Sequence, residues 1–118
     1  MQTLTIRKKD ACSGVVSIPS SKSYIHRFLF SVLLADGVSV VENVSLSDDV
    51  KATLSCIEAL GAKVTLSDDR RTVTVCGGIK KTESALLNCN ECGSTLRFVI
   101  PIAVVLCGSA RFTGGGKL

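Results

Sequence analysis

The amino-acid sequence predicts an α/β fold built from a repeated unit. Strand-like and helix-like patterns alternate along its 118 residues, and a glycine follows each helix-like stretch. Apolar residues make up 46% of the chain and charged residues 20%, a balance that excludes a disordered chain. Arg27-Phe28 recurs 70 residues later as Arg97-Phe98, and Asp36-Gly37 recurs 71 residues later as Cys107-Gly108. These recurrences indicate one full unit and most of a second.

The first half of the chain contains three predicted strands and two predicted helices. Alternating polar and apolar residues predict strands at 3–7 and 14–18, the second ending at Pro19. Serines around Lys22 offer N-cap oxygens for a first helix. Its apolar residues have helical spacing: Ile25, Phe28, Leu29, Val32 and Leu33. A strand is expected over 38–44, and Ser47 then opens a second helix.

The second half predicts a hairpin and a strand–helix–strand unit. Residues 63–66 and 72–75 form two short strands joined by a polar turn. Residues 85–88 form the next strand, and a third helix runs from about Thr95 to about Cys107. Pro101 lies inside this helix and should bend it or remove one hydrogen bond. Residues 110–113 form the last strand.

The six cysteines favour a reduced, cytosolic protein over a disulfide framework or a metal site. No apolar leader precedes residue 20, and no uncharged stretch reaches the ~18 apolar residues that a membrane span needs. Cys89 and Cys92 form a single CxxC, whereas a structural zinc site needs two further ligands that no second CxxC or HxxxH supplies. We therefore expect no bound metal, no membrane association and a cytoplasmic location.

The first candidate site lies at the predicted N-terminus of the first helix. Lys22 and Ser23 fall in its first turn, where backbone N–H groups are free and the helix dipole is positive. Arg27 is four residues beyond Ser23 and shares its face, and His26 neighbours Lys22 in the same way. Hydroxyl, ammonium and guanidinium groups together suit a phosphate dianion. A capped helix with a solvated polar face explains the same residues.

A second cluster repeats this arrangement. Gly93-Ser94-Thr95 leads into the third helix, Arg97 falls in its first turn, and glycine permits a ligand to approach the backbone closely. Anion binding and simple capping again compete, and two such clusters in a repeat favour anion binding. The sole histidine, His26, is expected to be solvated. Asp48-Asp49 is expected to cap the second helix rather than act as an acid–base pair.

Charge and aromatic content narrow the class of ligand. The 14 basic and 10 acidic residues give a net charge of +4, which suits a small anionic substrate better than a nucleic acid. Aromatic residues make up only 4% of the chain, too few for a base-stacking surface. Neither a Walker A loop nor GxGxxG is present, which argues against the common nucleotide-binding folds.

Several motifs follow one another along the chain: PSSKS at 19–23 with Arg27, ENV at 42–44, SDDV at 47–50, IEALGA at 57–62 and CGSTLRF at 92–98. Together they resemble the N-terminal part of the EPSP synthase (3-phosphoshikimate 1-carboxyvinyltransferase) family. The resemblance implies an inside-out α/β fold of βαβαββ repeats in two similar domains, incomplete here. Residues 1–18 would then be strands of the first domain, up to a hinge. Residues 19–118 would be the first part of the second domain.

The resemblance also implies a reaction and a set of substrate contacts. Family enzymes transfer the enolpyruvyl group of phosphoenolpyruvate to the 5-hydroxyl of shikimate 3-phosphate and release phosphate, with no metal or organic cofactor. Carried over by position, Lys22 is catalytic and touches both substrates, and Ser23 and Arg27 hold shikimate 3-phosphate. Gly93 approaches phosphoenolpyruvate, and Arg97 supports that site. Glu91 departs from the frequent family residue asparagine, and its carboxylate is unfavourable beside an anion unless a cation pairs with it.

Two other functions compete with this interpretation. The UDP-N-acetylglucosamine enolpyruvyl transferases share the fold and chemistry but typically have asparagine where this chain has Ser23. A non-catalytic anion-binding module is the other alternative. The glycine run at 114–116 and the resemblance lead us to expect a piece of a longer enzyme. The main acid–base groups would then lie beyond residue 118. We expect this piece to be inactive by itself and prone to self-association, and a full-length member to be monomeric.

Overall fold

The computed structural model describes residues 2–118, and its helices and strands alternate as an α/β protein. Within these residues, three helices and five strands follow one another. They are α1 (Lys22–Leu34), β1 (Val38–Val41), α2 (Asp48–Ala59), β2 (Lys63–Leu66), β3 (Val73–Cys76), β4 (Thr82–Asn88), α3 (Gly93–Leu106) and β5 (Cys107–Thr113). The predicted helices, hairpin and strand–helix–strand unit are confirmed.

The strands form two small sheets. In the first, the order is β1-β3-β2 and both pairings are antiparallel, with Val41 and Leu66 each opposite Val73. Val73 and Val75 of the central strand are fully buried. In the second sheet β4 and β5 pair in parallel, with Ala85 opposite Ala110. Parallel neighbours need a crossover connection, and α3 supplies it, passing directly into β5 without a loop residue.

The helices pack against one another and the sheets cover them from outside. α1, α2 and α3 are in mutual contact, while α1 also contacts β3, α2 contacts β4 and α3 contacts β5. The core is aliphatic, as the low aromatic content predicts. Its fully buried large members include Leu29, Leu33, Ile57, Leu60, Leu87 and Val99. Burying a side chain of this kind stabilises the fold by about 1.5–3 kcal/mol.

The three helices begin in different ways. Ser47 caps α2, because its hydroxyl accepts a hydrogen bond from the Val50 N–H at 3.4 Å. Cys92 caps α3 with its thiol, which accepts from the Thr95 N–H at 3.4 Å. Ser21 occupies the N-cap position of α1, but its side chain makes no capping bond. The expectation of a serine-capped first helix is therefore wrong.

The predicted strands at 3–7 and 14–18 are absent from the structure. Residues 2–20 contain no helix or strand, and Val15 is fully exposed. A strand is defined by hydrogen bonds to a neighbour, and none of β1–β5 pairs with this segment. The strand expected over 38–44 is also shorter, because Asn43 adopts a left-handed conformation with φ 55°. The division into two domains at residue 18 stays a prediction.

The cysteines behave as small apolar side chains. All six are free thiols, and Cys56, Cys89 and Cys92 are buried. Burial raises the pKa of Cys56 to about 12 and also raises the pKa of Cys89. Thiols held protonated in this way react slowly with oxidants.

Gly77 offers a test of the contact between β3 and the end of α1. A β-carbon at this position would overlap the Val32 carbonyl oxygen and lie 2.8 Å from that of Ala35. We expect Gly77→Ala to lower the free energy of unfolding by roughly 2 kcal/mol or more, since backbone must move. Gly115→Ala is the matched control, because nothing lies within 4 Å of its added carbon. Equal urea midpoints for the two variants would contradict the packing described.

Candidate functional site

The first turns of α1 and α2 are joined by a short ion pair. The Lys22 ammonium donates to Asp49 Oδ2 at 2.6 Å, and the two side chains are 55% and 33% exposed. The hydrogen bond and charge of Asp49 raise the pKa of Lys22. The hydrogen bond from Lys22 lowers the pKa of Asp49. Asp49 is expected from the sequence only to stabilise the N-terminus of α2. In the structure it also holds the side chain of Lys22, the predicted catalytic lysine.

Arg27 bridges α1 and α3 at the surface. Its Nη1 donates to the Ser23 carbonyl oxygen at 2.8 Å, and its guanidinium carbon lies 5.1 Å from the centroid of the Phe98 ring. Both residues of the predicted phosphate-binding pair are exposed, and they meet through the Ser23 backbone. This bond engages one guanidinium N–H, and because Arg27 is exposed its other N–H donors remain accessible.

The second predicted cluster lies at the start of α3. Gly93 is the first residue of this helix, and a side chain there would meet no atom within 4 Å. Packing within residues 2–118 therefore does not require glycine at this position. Arg97 is exposed one turn further along. The neighbouring Cys92, whose thiol caps α3, has its Sγ 4.0 Å from Nε2 of His26, which lies one turn after Lys22 in α1, so the start of α3 lies close to that of α1.

His26 is buried, so the expectation of a solvated histidine is wrong. Only 1% of the residue is exposed. Its Nδ1 lies 2.7 Å from Thr53 Oγ1, and its Nε2 lies 4.0 Å from Cys92 Sγ. The buried stripe of α1 includes His26, whereas Phe28, which the spacing placed on this stripe, is 53% exposed. The stripe is rotated because α1 contacts two helices at once.

Sequence reasoning missed Thr53 and did not foresee that Thr95 of the second cluster is buried. Thr53 of α2 and Thr95 of α3 are fully buried, and their hydroxyl oxygens lie 2.7 Å apart. A signal was available for Thr53, since it lies three residues after Val50 and four before Ile57, on the apolar stripe of α2. A hydroxyl in such a place needs a polar partner on a facing helix.

A basic surface cavity lies beside the start of α1. Its volume is about 460 Å³, and its charged lining residues are Lys51, Arg70 and Arg71. Arg71 donates to Asn43 Oδ1 at 2.9 Å, and Lys51 pairs with Asp48 at 3.0 Å.

Within the described part of the chain, no three acidic, histidine or cysteine side chains cluster as metal ligands would.

Comparison with known proteins identifies the family. The family model described as EPSP synthase (3-phosphoshikimate 1-carboxyvinyltransferase) matches residues 6–118. The chain belongs to the EPSP synthase family. It is 44% identical over 115 residues to the 3-phosphoshikimate 1-carboxyvinyltransferase of Clostridium beijerinckii, covering 90% of this chain and 26% of that protein. The Clostridioides difficile protein of the same name is 38% identical over 117 residues.

Solved structures of EPSP synthases share the fold. EPSP synthase from Acinetobacter baumannii matches with a TM-score of 0.78 and 23% identity, over 89% of this chain and 24% of that one. This likeness confirms the predicted fold class. The chain spans about a quarter of the length of the curated EPSP synthases it matches. Among residues 2–118, none of the helices has the length and apolar content needed to cross a bilayer.

Burial of His26 predicts a pH-dependent stability. Burial lowers its pKa from the ordinary 6.5; the Asp49 charge opposes this shift, and Lys22 and Arg27 add to it. As pH falls below about 6.5, the unfolded chain takes up a proton more readily than the folded one. The free energy of unfolding should therefore decrease toward acid pH, by at most about 1.4 kcal/mol per pH unit, until the folded-state pKa is passed.

Urea unfolding at pH about 7.5 and about 5.5 measures this effect. His26→Asn is the control, since its amide does not titrate. The loss of stability over this interval should be smaller in the variant than in the parent. Equal losses of unfolding free energy in the parent and the variant would show that His26 does not cause the pH dependence.

Proposed function

We propose that this chain is part of an enzyme that transfers the enolpyruvyl group of phosphoenolpyruvate to the 5-hydroxyl of shikimate 3-phosphate, releasing phosphate. Membership of the EPSP synthase family supports the reaction. The observation that carries the proposal is the meeting of the starts of α1 and α2 at the Lys22–Asp49 pair, with the start of α3, where Gly93 follows Cys92, in contact with α1 through His26. Helix N-termini with nearby cations favour doubly charged anions.

Lys22 is proposed as the catalytic residue and as a ligand of both substrates. Its ammonium is protonated at neutral pH, as that of a lysine ordinarily is, and Asp49 raises its pKa further. A substrate phosphate or carboxylate that approaches Lys22 meets the same donor that Asp49 now occupies at 2.6 Å. The N–H donors of the ammonium group can then form charge-assisted hydrogen bonds both to Asp49 and to the substrate anion.

Ser23 and Arg27 are proposed to bind the phosphate of shikimate 3-phosphate. Arg27 is held at one end by the Ser23 carbonyl and at its face by Phe98. A guanidinium restrained in this way loses less conformational entropy when it binds phosphate. Gly93 and Arg97 are proposed to serve phosphoenolpyruvate, the glycine by leaving the first N–H groups of α3 accessible and the arginine by its charge.

Residues 1–18 are proposed to be strands of the first domain that lead up to a hinge, and residues 19–118 the first part of the second domain. Residues 2–20 have no strand partner within residues 2–118, and the apolar side chains of Val15, Val16 and Ile18 are exposed. Such a segment gains its hydrogen bonds by joining a sheet supplied from elsewhere. A second domain closing over Lys22 and Gly93 would also exclude water from the reaction.

Binding of shikimate 3-phosphate to the purified chain tests the site. At low salt we expect Lys22→Ala and Arg27→Ala each to weaken binding about tenfold in calorimetric titration, since each removes a charge-assisted contact. High salt should weaken binding by the parent. Lys80→Ala is the matched control, because it removes the same charge beside Asp36, beyond the far end of α1. Unchanged affinity in the Lys22 and Arg27 variants would refute the assignment.

The 118-residue chain is expected to have no transferase activity by itself. It spans about a quarter of its curated relatives, and the resemblance places the main acid–base groups outside it. Release of inorganic phosphate from the two substrates, followed with the purified chain and no other protein, is the measurement. Turnover above the rate of a Lys22→Ala preparation would contradict this expectation.

A further inference from the structure

We propose that His26 is a positioning residue, which holds Lys22 of α1 and Gly93 of α3 in a fixed arrangement through Thr53, Thr95 and Cys92. The inference rests on the proposed function for the importance of Lys22 and Gly93. It adds a residue that does not touch substrate, since only 1% of His26 is exposed. Its effect is exerted through the helices that it joins.

The network lies one helical turn below the exposed ion pair. Residues four apart on a helix occupy the same face, so His26 lies beneath Lys22 and Thr53 lies beneath Asp49. The upper layer is the Lys22–Asp49 bond of 2.6 Å, and the lower layer is the His26–Thr53 contact of 2.7 Å. The lower layer is buried and the upper layer is partly exposed, so the lower one sets how α1 and α2 face each other.

α3 is tied to the same layer by two contacts. Thr53 Oγ1 lies 2.7 Å from Thr95 Oγ1, and His26 Nε2 lies 4.0 Å from Cys92 Sγ. The Thr95 N–H donates to Cys92 Sγ at 3.4 Å and closes the ring of contacts. Gly93 lies in the chain between the two α3 members of this ring. Its position relative to Lys22 is therefore set by the histidine and its partners.

One arrangement of protons satisfies the whole ring with a neutral imidazole. The Thr95 hydroxyl donates to Thr53, the Thr53 hydroxyl donates to His26 Nδ1, and His26 Nε2–H donates to Cys92 Sγ. Hydrogen bonds that run in one direction polarise and strengthen one another. Lys22 and Arg27 of α1, Asp49 of α2 and Cys92 of α3 are the charged or titratable groups that face the ring. With the proton on Nδ1 instead, the Thr53 hydroxyl would have to donate to the Asp49 carbonyl oxygen at 3.4 Å, a longer contact than the 2.7 Å to Nδ1. We therefore assign the neutral tautomer with its proton on Nε2.

Hydroxyl deletions separate positioning from general stability. Thr53→Val and Thr95→Val preserve side-chain volume and open the ring at one point each. Thr82→Val is the matched control, because it removes a hydroxyl that donates to the Leu60 carbonyl at 2.7 Å, outside the ring. His26→Asn is the conservative variant, since its amide can reach Thr53 in place of Nδ1. His26→Leu removes both imidazole nitrogens, and therefore both hydrogen bonds of His26, and is the disruptive variant with which His26→Asn is compared.

Two measurements on the 118-residue chain decide the proposal. The imidazole nitrogen resonances of His26 should report the Nε2–H tautomer in the parent, and the Thr53 and Thr95 variants should shift them together with the Gly93 amide signal. Affinity for inorganic phosphate should fall about threefold to tenfold in these variants and in His26→Leu. It should be retained in Thr82→Val and largely restored in His26→Asn, at comparable urea midpoints.

The outcomes are distinguishable from failure of the proposed function. Should the parent fail to bind phosphate or shikimate 3-phosphate, the anion site of this chain is refuted, and the resonances still decide whether His26 positions Gly93. Unmoved His26 and Gly93 signals in both threonine variants would overturn the positioning role. If a threonine variant does not fold, the comparison of His26→Leu with Thr82→Val and His26→Asn decides. An unshifted Gly93 signal in His26→Leu would also overturn the positioning role.

Discussion

The contact between three helix N-termini is the constraint on which the rest of the structure depends. Backbone dipoles pointing the same way repel, and buried hydroxyl and imidazole groups are costly unless they are paired. Here the buried groups are paired, because the polar groups of His26, Thr53 and Thr95 bond across the helix interfaces and thereby also hold the helices together. No buried side-chain nitrogen or oxygen within residues 2–118 lacks a partner. Aliphatic packing around Leu29 and Ile57 then fills the space below.

The elements that sequence predicts well are those stabilised by local signals. The hydroxyl of Ser47 and the carboxylates after it mark the start of α2, and the polar turn after Leu66 marks the hairpin. Segments that depend on distant partners are predicted poorly. Residues 14–18 have the alternation of a strand, yet alternation does not supply the neighbour with which a strand must bond. Phe28 has helical spacing, yet two competing neighbours rotate the buried face of α1 away from it.

The residues of the candidate site likewise include some that local sequence motifs predict and some that depend on distant partners. Lys22, Arg27 and Gly93 follow from motifs, because hydroxyls, cations and glycine at a helix start have a chemical meaning in sequence alone. The carboxylate of Asp49 does not follow, since 27 residues separate it from Lys22. Because the Asp49 carboxylate lies beside Lys22, the net charge of +4 is not concentrated at this lysine. An anion that binds Lys22 must therefore compete with Asp49 for its ammonium group.

The direct passage of α3 into β5 has a mechanical consequence. Leu106 ends the helix and Cys107 begins the strand, where it stands opposite Thr82 in the parallel ladder. A loop would absorb a rotation or a shift along the helix axis, and here there is none. The 14 residues of α3 link Gly93 to this junction, and Pro101 within them lacks the N–H that would complete the helical hydrogen bonds. A shift of the last turn of α3, beyond this proline, would therefore act directly on the ladder between β4 and β5.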